Sequence, residues 1–246
     1  MDWKKHAPIA ELVKGLDEAL GKGLHAVVLY GPAARGEVAN GDGDLHILVV
    51  LSDLALTSLA KAGESLARWV KRGQPVPRLF SPTTLAEAAD VFPIELGDIA
   101  ERHVLLHGDD PLPSMPALDR EHLRLQCERE LREKMMRLEE AYALSRARGE
   151  ELRRLVATSF PIFAMIFRGC LRLHGDPVPE GGLAAAEAFC GKAGIDAEPF
   201  RAAARARQEK GALAEADFAK YHGALERAID AIDKFNPPNP TVPSRI

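Results

Sequence analysis

The spacing of apolar residues changes near the middle of the chain. Over residues 1–112, compact apolar runs alternate with stretches in which apolar residues recur every three or four positions. Compact runs predict buried strands, and the longer spacing predicts helices. The predicted strands are Ala26–Tyr30, Leu45–Leu51 and a proline-flanked Val76–Phe80, and the predicted helices are Ile9–Leu20, one capped by Ser52 that ends near Arg72, and one that begins near Pro93. This alternation indicates a small α/β domain with a mixed sheet.

From about Leu118 onward only the helical spacing remains, which favours an all-α helical bundle. A long helix is predicted around 123–142, followed by helices at 150–173, 183–193, 198–210 and 214–235. Pro161 is expected to kink the second of these helices or to split it in two. We therefore predict an α+β protein with an α/β domain at 1–112, a proline-rich linker, a bundle at 117–236 and a tail at 237–246.

Composition and charge narrow the class of protein. The chain is 46% hydrophobic and 28% charged, which is typical of a folded globular protein. Its net charge of −4 gives no strong signal for nucleic-acid binding. Unbroken apolar runs such as Ile47–Leu51 are too short to span a membrane, and no signal-peptide pattern opens the sequence, so we expect a cytoplasmic protein. The three cysteines lack paired spacing, which predicts free buried thiols.

One segment carries candidate chemistry. The first strand ends at Gly31-Pro32, the loop that follows contains Arg35-Gly36, and Asp44-Leu45-His46 opens the second strand. This order resembles the nucleotidyltransferase superfamily related to DNA polymerase β, especially its small bacterial and aminoglycoside-modifying branches. The signature of that family is an apolar strand, Gly-Ser, a loop that often contains Arg-Gly, and Asp-x-Asp on a second strand. The resemblance implies a nucleotidyltransferase-like α/β domain with an attached helical bundle.

The chemistry of the family motif follows from strand geometry. Residues i and i+2 of a strand share a face, so two carboxylates there can bind Mg²⁺ or Mn²⁺ together. The metal then bridges the nucleotide phosphates, and a glycine turn brings backbone N–H groups close to them. The resemblance implies that the residues nearest a nucleotide are Gly31, Pro32, Arg35 and Gly36, and that the catalytic positions are Asp44 and His46.

The sequence departs from the family pattern at three positions, which indicates a degenerate active site. Pro32 stands where the family has serine, and it lacks both the hydroxyl and the backbone N–H. His46 stands at the second carboxylate, and a neutral imidazole is a poor ligand for Mg²⁺. Arg78 aligns with the third carboxylate of the family, on the third predicted strand.

Two alternatives would restore the carboxylates. In a shifted register, Asp42-Gly43-Asp44 becomes the Asp-x-Asp pair, and Asp42 and Asp44 would then be the metal ligands. Glycine is an unfavourable strand residue, which weakens this alternative. Glu95 could serve as a third carboxylate, although its position near Pro93 also fits a surface residue in the first turn of a helix.

Two further residue pairs invite a functional interpretation. His103 and His107 would share a helix face and could bind a metal, but Val104 and the residues after it favour a short strand instead. The pair Arg168 and His174 resembles the Arg-x(4–6)-His motif of the HEPN family of helical ribonucleases. A histidine beside a glycine is also a normal end for a helix.

The sequence leaves three functional hypotheses open. The first is a catalytically weakened or inactive nucleotidyltransferase-like protein that binds a nucleotide or another phosphate-bearing small molecule in a cleft between its domains, without a metal cofactor. The second is an active Mg²⁺- or Mn²⁺-dependent nucleotidyltransferase that uses Asp44 with Asp42 or Glu95. The third is an interaction module whose bundle pairs with a partner or with a second copy, which would give a homodimer.

Overall fold

The computed structural model of the protein describes residues 2–36 and 43–235. Asp42 and the predicted tail at 237–246 lie outside the described residues. The chain forms two compact units. The first contains the described residues up to Val91 together with Glu95–Ala117, and the second contains Phe92–Ile94 and the described residues from Leu118 onward.

The first unit is built on a four-stranded sheet. Its strands are β1 (Leu24–Tyr30), β2 (His46–Leu51), β3 (Arg78–Phe80) and β4 (His103–Gly108). Their order across the sheet is β3-β2-β1-β4. Strand β1 runs antiparallel to both β2 and β4, whereas β2 and β3 are parallel. The predicted mixed sheet is therefore confirmed.

Four α-helices accompany the sheet. They are α1 (Ala7–Leu20), α2 (Leu56–Lys71), α3 (Pro82–Glu87) and α4 (Pro93–Glu101). The prediction that Ser52 caps α2 is wrong, because Asp53 organises that turn instead. Its Oδ1 accepts hydrogen bonds from the Ala55 N–H at 2.9 Å and from the Ser58 hydroxyl at 2.7 Å. The helix consequently begins at Leu56.

The two faces of the sheet have different roles. Alternate residues of a strand point to opposite faces. Leu29 and Ile47 lie on the face that packs against α1 and α2, in a core that also contains Leu12 and Trp69. The other face carries Tyr30, His46 and their neighbours two residues along each strand, and this is the face on which the candidate site lies.

The described part of the second unit from Leu118 to residue 235 is helical, without a strand. Its helices are α5 (Arg120–Ser145), α6 (Gly149–His174), α7 (Gly182–Ala193), α8 (Glu198–Ala206) and α9 (Glu215–Asp233). Helix α6 passes through Pro161 without a break, so the predicted split is wrong. The buried residues on both sides of the proline hold the helix together although one backbone hydrogen bond is lost. Helix α8 ends at Ala206, before the predicted end at Lys210.

Helix α6 is also unusually long and apolar, a property that short unbroken apolar runs do not reveal. Among the described residues, it is the one helix long and apolar enough to cross a membrane by length and composition alone. Its most apolar stretch is 56% buried within the protein. Core helices of soluble proteins have the same property, and Phe163 and Phe167 of α6 lie in the core of the second unit.

Candidate functional site

Three side chains come together where β1 ends and β2 begins. Tyr30 is paired directly with His46 across the two strands, and their ring centroids are 5.6 Å apart. Arg78 lies opposite Leu48 on β3, which places it on the same face of the sheet as His46. Its guanidinium is close enough to the Tyr30 hydroxyl to lower the pKa of that group against the effect of burial. We call Tyr30, Gly31, Asp44, His46 and Arg78 the sheet-end site.

The turn after β1 requires glycine at its first position. Gly31 has a φ of 75°, a conformation that side chains with a Cβ rarely adopt. A Cβ at this position would also lie 3.1 Å from Cδ2 of His46. The turn closes when the N–H of Arg35 donates to the carbonyl of Gly31 at 3.2 Å. The predicted nucleotide-binding residues from Gly31 to Gly36 therefore form one tight backbone turn, with Pro32 inside it.

Asp44 lies just before β2 and is exposed. Gln74 fixes the backbone on both sides of it. The Leu45 N–H donates to Oε1 of Gln74 at 2.8 Å, and Nε2 of Gln74 donates to the Gly43 carbonyl at 3.4 Å. The Asp44 carboxylate is thus exposed to solvent, on a backbone segment that hydrogen bonds to Gln74 hold in place. It is also close enough to His46 to influence the pKa of the imidazole.

The electrostatics of the site favour neutral side chains at Tyr30 and His46. Burial lowers the pKa of His46, and Arg78 and Arg35 lower it further, while the Asp44 carboxylate opposes them. The imidazole is therefore neutral at pH 7. Burial raises the pKa of Tyr30, against an opposing effect of Arg78, so the phenol keeps its proton.

Arg35, which the family resemblance places near a nucleotide, is held by a buried ion pair. Its guanidinium forms an ion pair with Asp98 on α4, and the two side chains are only 8% and 10% exposed. The sequence analysis missed Asp98. The available signal was the spacing of Glu95 and Asp98, which puts two carboxylates one turn apart on a helix. Contact between Arg35 and a phosphate remains a prediction.

The metal ions that the family resemblance implies need several oxygen ligands. Within residues 2–36 and 43–235, His, Cys, Asp and Glu form no group of three or more that could hold a metal ion. The described neighbour of Asp44 is the neutral imidazole of His46, and Glu95 lies half-buried in the first turn of α4. The donor set of the described residues therefore does not fit Mg²⁺ or Mn²⁺. Asp42, the alternative ligand, lies outside the described residues.

The two other sequence candidates engage structural partners. His103 lies on a strand, as the sequence favoured, with its ring nitrogens 2.9 Å from the Ile99 carbonyl and 2.9 Å from Asp110. Arg168 is buried, and its Nη1 donates to a backbone carbonyl at 2.8 Å. The ring of His174 packs against Phe235 at an interplanar angle of 62°, with the ring centroids 4.2 Å apart.

The architecture was compared with known proteins. The solved structure of spectinomycin adenyltransferase AAD(9) from Enterococcus faecialis, with ATP and spectinomycin, covers 93% of this chain and 99% of its own at 13% identity and a TM-score of 0.55. The chain has a nucleotidyltransferase fold. The family resemblance seen in residues 26–51 is thus confirmed at the level of the fold.

A second solved structure, of a toxin–antitoxin with AMP-PNP, matches 41% of the present chain and 73% of its own chain, at 18% identity and a TM-score of 0.29. Comparison by sequence finds no relative: no protein-family model and no curated protein matches the chain.

Proposed function

We propose that this nucleotidyltransferase-fold protein binds a nucleotide or another phosphate-bearing small molecule at the sheet-end site and is weakened or inactive as a transferase. One observation carries the proposal. The face of the sheet on which the family places its second and third carboxylates has a neutral His46 and a cationic Arg78. This arrangement removes metal ligands and adds positive charge, which suits an anionic ligand better than a divalent cation.

The retained features support binding. The Gly31 turn keeps the backbone conformation that allows a ligand to approach closely, and Arg78 is exposed beside it. The AAD(9) structure, which has the same fold, was solved with ATP. We therefore take ATP as the first ligand to test, together with GTP, CTP and UTP.

A second candidate function is an active metal-dependent nucleotidyltransferase. The observation in its favour is the exposed Asp44, which Gln74 holds at the start of β2, where the family carries its first metal ligand. This function would need a second carboxylate from Asp42 or Glu95 to complete a Mg²⁺ or Mn²⁺ site.

Calorimetric titration with each nucleotide, in chelator, Mg²⁺ or Mn²⁺, separates the two functions. We expect binding that persists in chelator and survives Asp44→Asn, with no release of pyrophosphate when small-molecule acceptors are supplied. Binding that requires metal, with pyrophosphate release that Asp44→Asn abolishes, would establish the active enzyme instead. If the folded protein bound none of the four nucleotides and no inorganic polyphosphate, the proposed function would be wrong.

A further inference from the structure

We propose that Arg78 binds a ligand phosphate directly and supplies the positive charge that a divalent metal ion supplies in the family. This inference rests on the proposed function and names the residue and the ligand group that would carry it: a guanidinium and the phosphate chain of a nucleoside polyphosphate. It follows that binding needs no divalent metal.

The first step of the argument is the placement of Arg78. It is the first residue of β3, and its side chain rises from the sheet face that carries Tyr30 and His46. The segment before it is anchored, since Nε1 of Trp69 donates to the Pro75 carbonyl at 2.8 Å and Pro77 is buried. The backbone therefore presents Arg78 from a fixed position.

The second step is a comparison of the two arginines near the Gly31 turn. Arg35 is almost completely buried and is neutralised by the Asp98 carboxylate. Arg78 is exposed at the start of β3, and the neighbouring Tyr30 hydroxyl is neutral. A neutral hydroxyl does not cancel the charge of a guanidinium. An incoming anion would therefore meet an exposed cation at Arg78 and a buried, paired one at Arg35.

The third step concerns the chemistry of the guanidinium. Its planar fork of N–H donors matches two oxygens of one phosphate, and arginine is more weakly hydrated than lysine, so it binds phosphate well without a metal. His46 adds no competing anion, because its imidazole is neutral and lies beside the guanidinium. The phosphate chain, rather than the base, is thus the group that this arrangement is suited to recognise.

The test compares wild type with Arg78→Gln, Arg78→Lys and a matched control, Arg72→Gln. Arg72 is an exposed arginine directly after α2, a helix that packs on the other face of the sheet. Calorimetry in chelator should show that Arg78→Gln weakens ATP binding by about 10- to 100-fold. Arg78→Lys should recover part of that loss, and Arg72→Gln should bind as wild type does. Inorganic tripolyphosphate should compete with ATP for wild type.

Four results would overturn the inference. If wild type binds ATP in chelator and a folded Arg78→Gln binds it equally well, Arg78 is not the phosphate contact, although the proposed function stands. If tripolyphosphate fails to compete, the phosphate chain is not the group recognised. If wild type binds only with Mg²⁺ or Mn²⁺, the guanidinium does not replace the metal. Failure of wild type to bind any nucleotide or polyphosphate would reject the proposed function itself.

Discussion

Single residues decide the chemistry of the sheet-end site. Tyr30 on β1 is paired with His46 on β2, and the exposed Arg78 of β3 lies on the same face of the sheet. The site therefore combines a neutral imidazole, a guanidinium and the exposed carboxylate of Asp44. The strand register fixes the backbone positions of these residues, so their side chains start from fixed points on one face of the sheet. The sheet-end site is therefore built on a fixed backbone arrangement.

The first prediction concerns the pH dependence of stability through His46. Burial lowers its pKa below the ordinary value of about 6.5, so the unfolded chain binds more protons than the folded one below that pH. The free energy of unfolding should therefore be retained above about pH 6.5 and should fall as the pH drops below it. Urea unfolding between pH 7.5 and pH 5 measures this slope.

His46→Gln should weaken the dependence of the free energy of unfolding on pH between pH 7.5 and pH 5. The matched control is His174→Gln, since burial also lowers the pKa of His174, in the second unit. This control should remove only its own part of the slope and leave the part due to His46. A slope in folded His46→Gln equal to that of wild type would contradict the electrostatic account of the site.

The second prediction concerns the buried ion pair of Arg35 and Asp98. Removal of either partner takes an opposite charge away from a buried side chain, so Arg35→Gln or Asp98→Asn should each lower the free energy of unfolding by about 3–5 kcal/mol. Replacement of both by apolar residues, Arg35→Met with Asp98→Leu, should cost less than either single change. Urea unfolding measures all three variants.

Exposed Arg72→Gln, which breaks a surface ion pair with Glu11, is the control and should cost at most about 1 kcal/mol. If Arg35→Gln cost no more than this control, the loop would not depend on the buried pair.

Sequence reasoning could find some residues of the site and not others. Gly31, Asp44 and His46 follow one another along the chain, so a local motif identifies them. Asp98 is 63 positions from Arg35, and Gln74 is 29 positions from Leu45. A pattern of local spacing contains no information on such pairs, because the fold alone brings them together.

At the scale of elements, apolar spacing predicts the strands and helices whose apolar faces pack into a core. The strands β1 and β2 and the long helices α5 and α6 all match a strong pattern. The short helix α3 was missed because its capping box, formed by Ser81 and Thr84, replaces apolar periodicity as the signal. The start of α2 was misplaced because Asp53 and Ser52 are both good turn residues, and only the hydrogen bonds distinguish them.

The third prediction concerns the end of β4. Gly108 has a φ of 77°, and a Cβ there would lie 1.8 Å from the carbonyl oxygen of His25 on β1. Gly108→Ala should therefore separate the two strands locally and destabilise the protein by more than about 3 kcal/mol, beyond the conformational strain alone. The midpoint of urea unfolding gives the change.

Gly73→Ala is the matched control, since Gly73 has a φ of 81° but nothing within 4 Å of the added Cβ. It should show only the conformational strain, about 1–2 kcal/mol. Equal effects of the two substitutions would mean that strand contact at Gly108 does not determine the cost.

At the scale of the whole molecule, each unit has its own hydrophobic core. One core lies between the sheet and helices α1 and α2, and the other lies among the helices of the second unit. The sheet-end site belongs wholly to the first unit. The fold likeness nevertheless extends over 93% of the chain, so both units take part in it. Fold and site chemistry are therefore separate observations, since the chain shares its fold with the AAD(9) structure while its described residues hold no group of three or more metal-ligating side chains.

The measurement that tests the central claim most directly is a thermal-shift titration of the full chain with ATP in chelator. A ligand at 100 times its dissociation constant stabilises by about 2.7 kcal/mol, which raises Tm by roughly 5–10 °C for a protein of this size. We predict this rise in chelator, with little further change on addition of Mg²⁺. A rise seen only with Mg²⁺ or Mn²⁺ would contradict the account and favour an active metal-dependent nucleotidyltransferase.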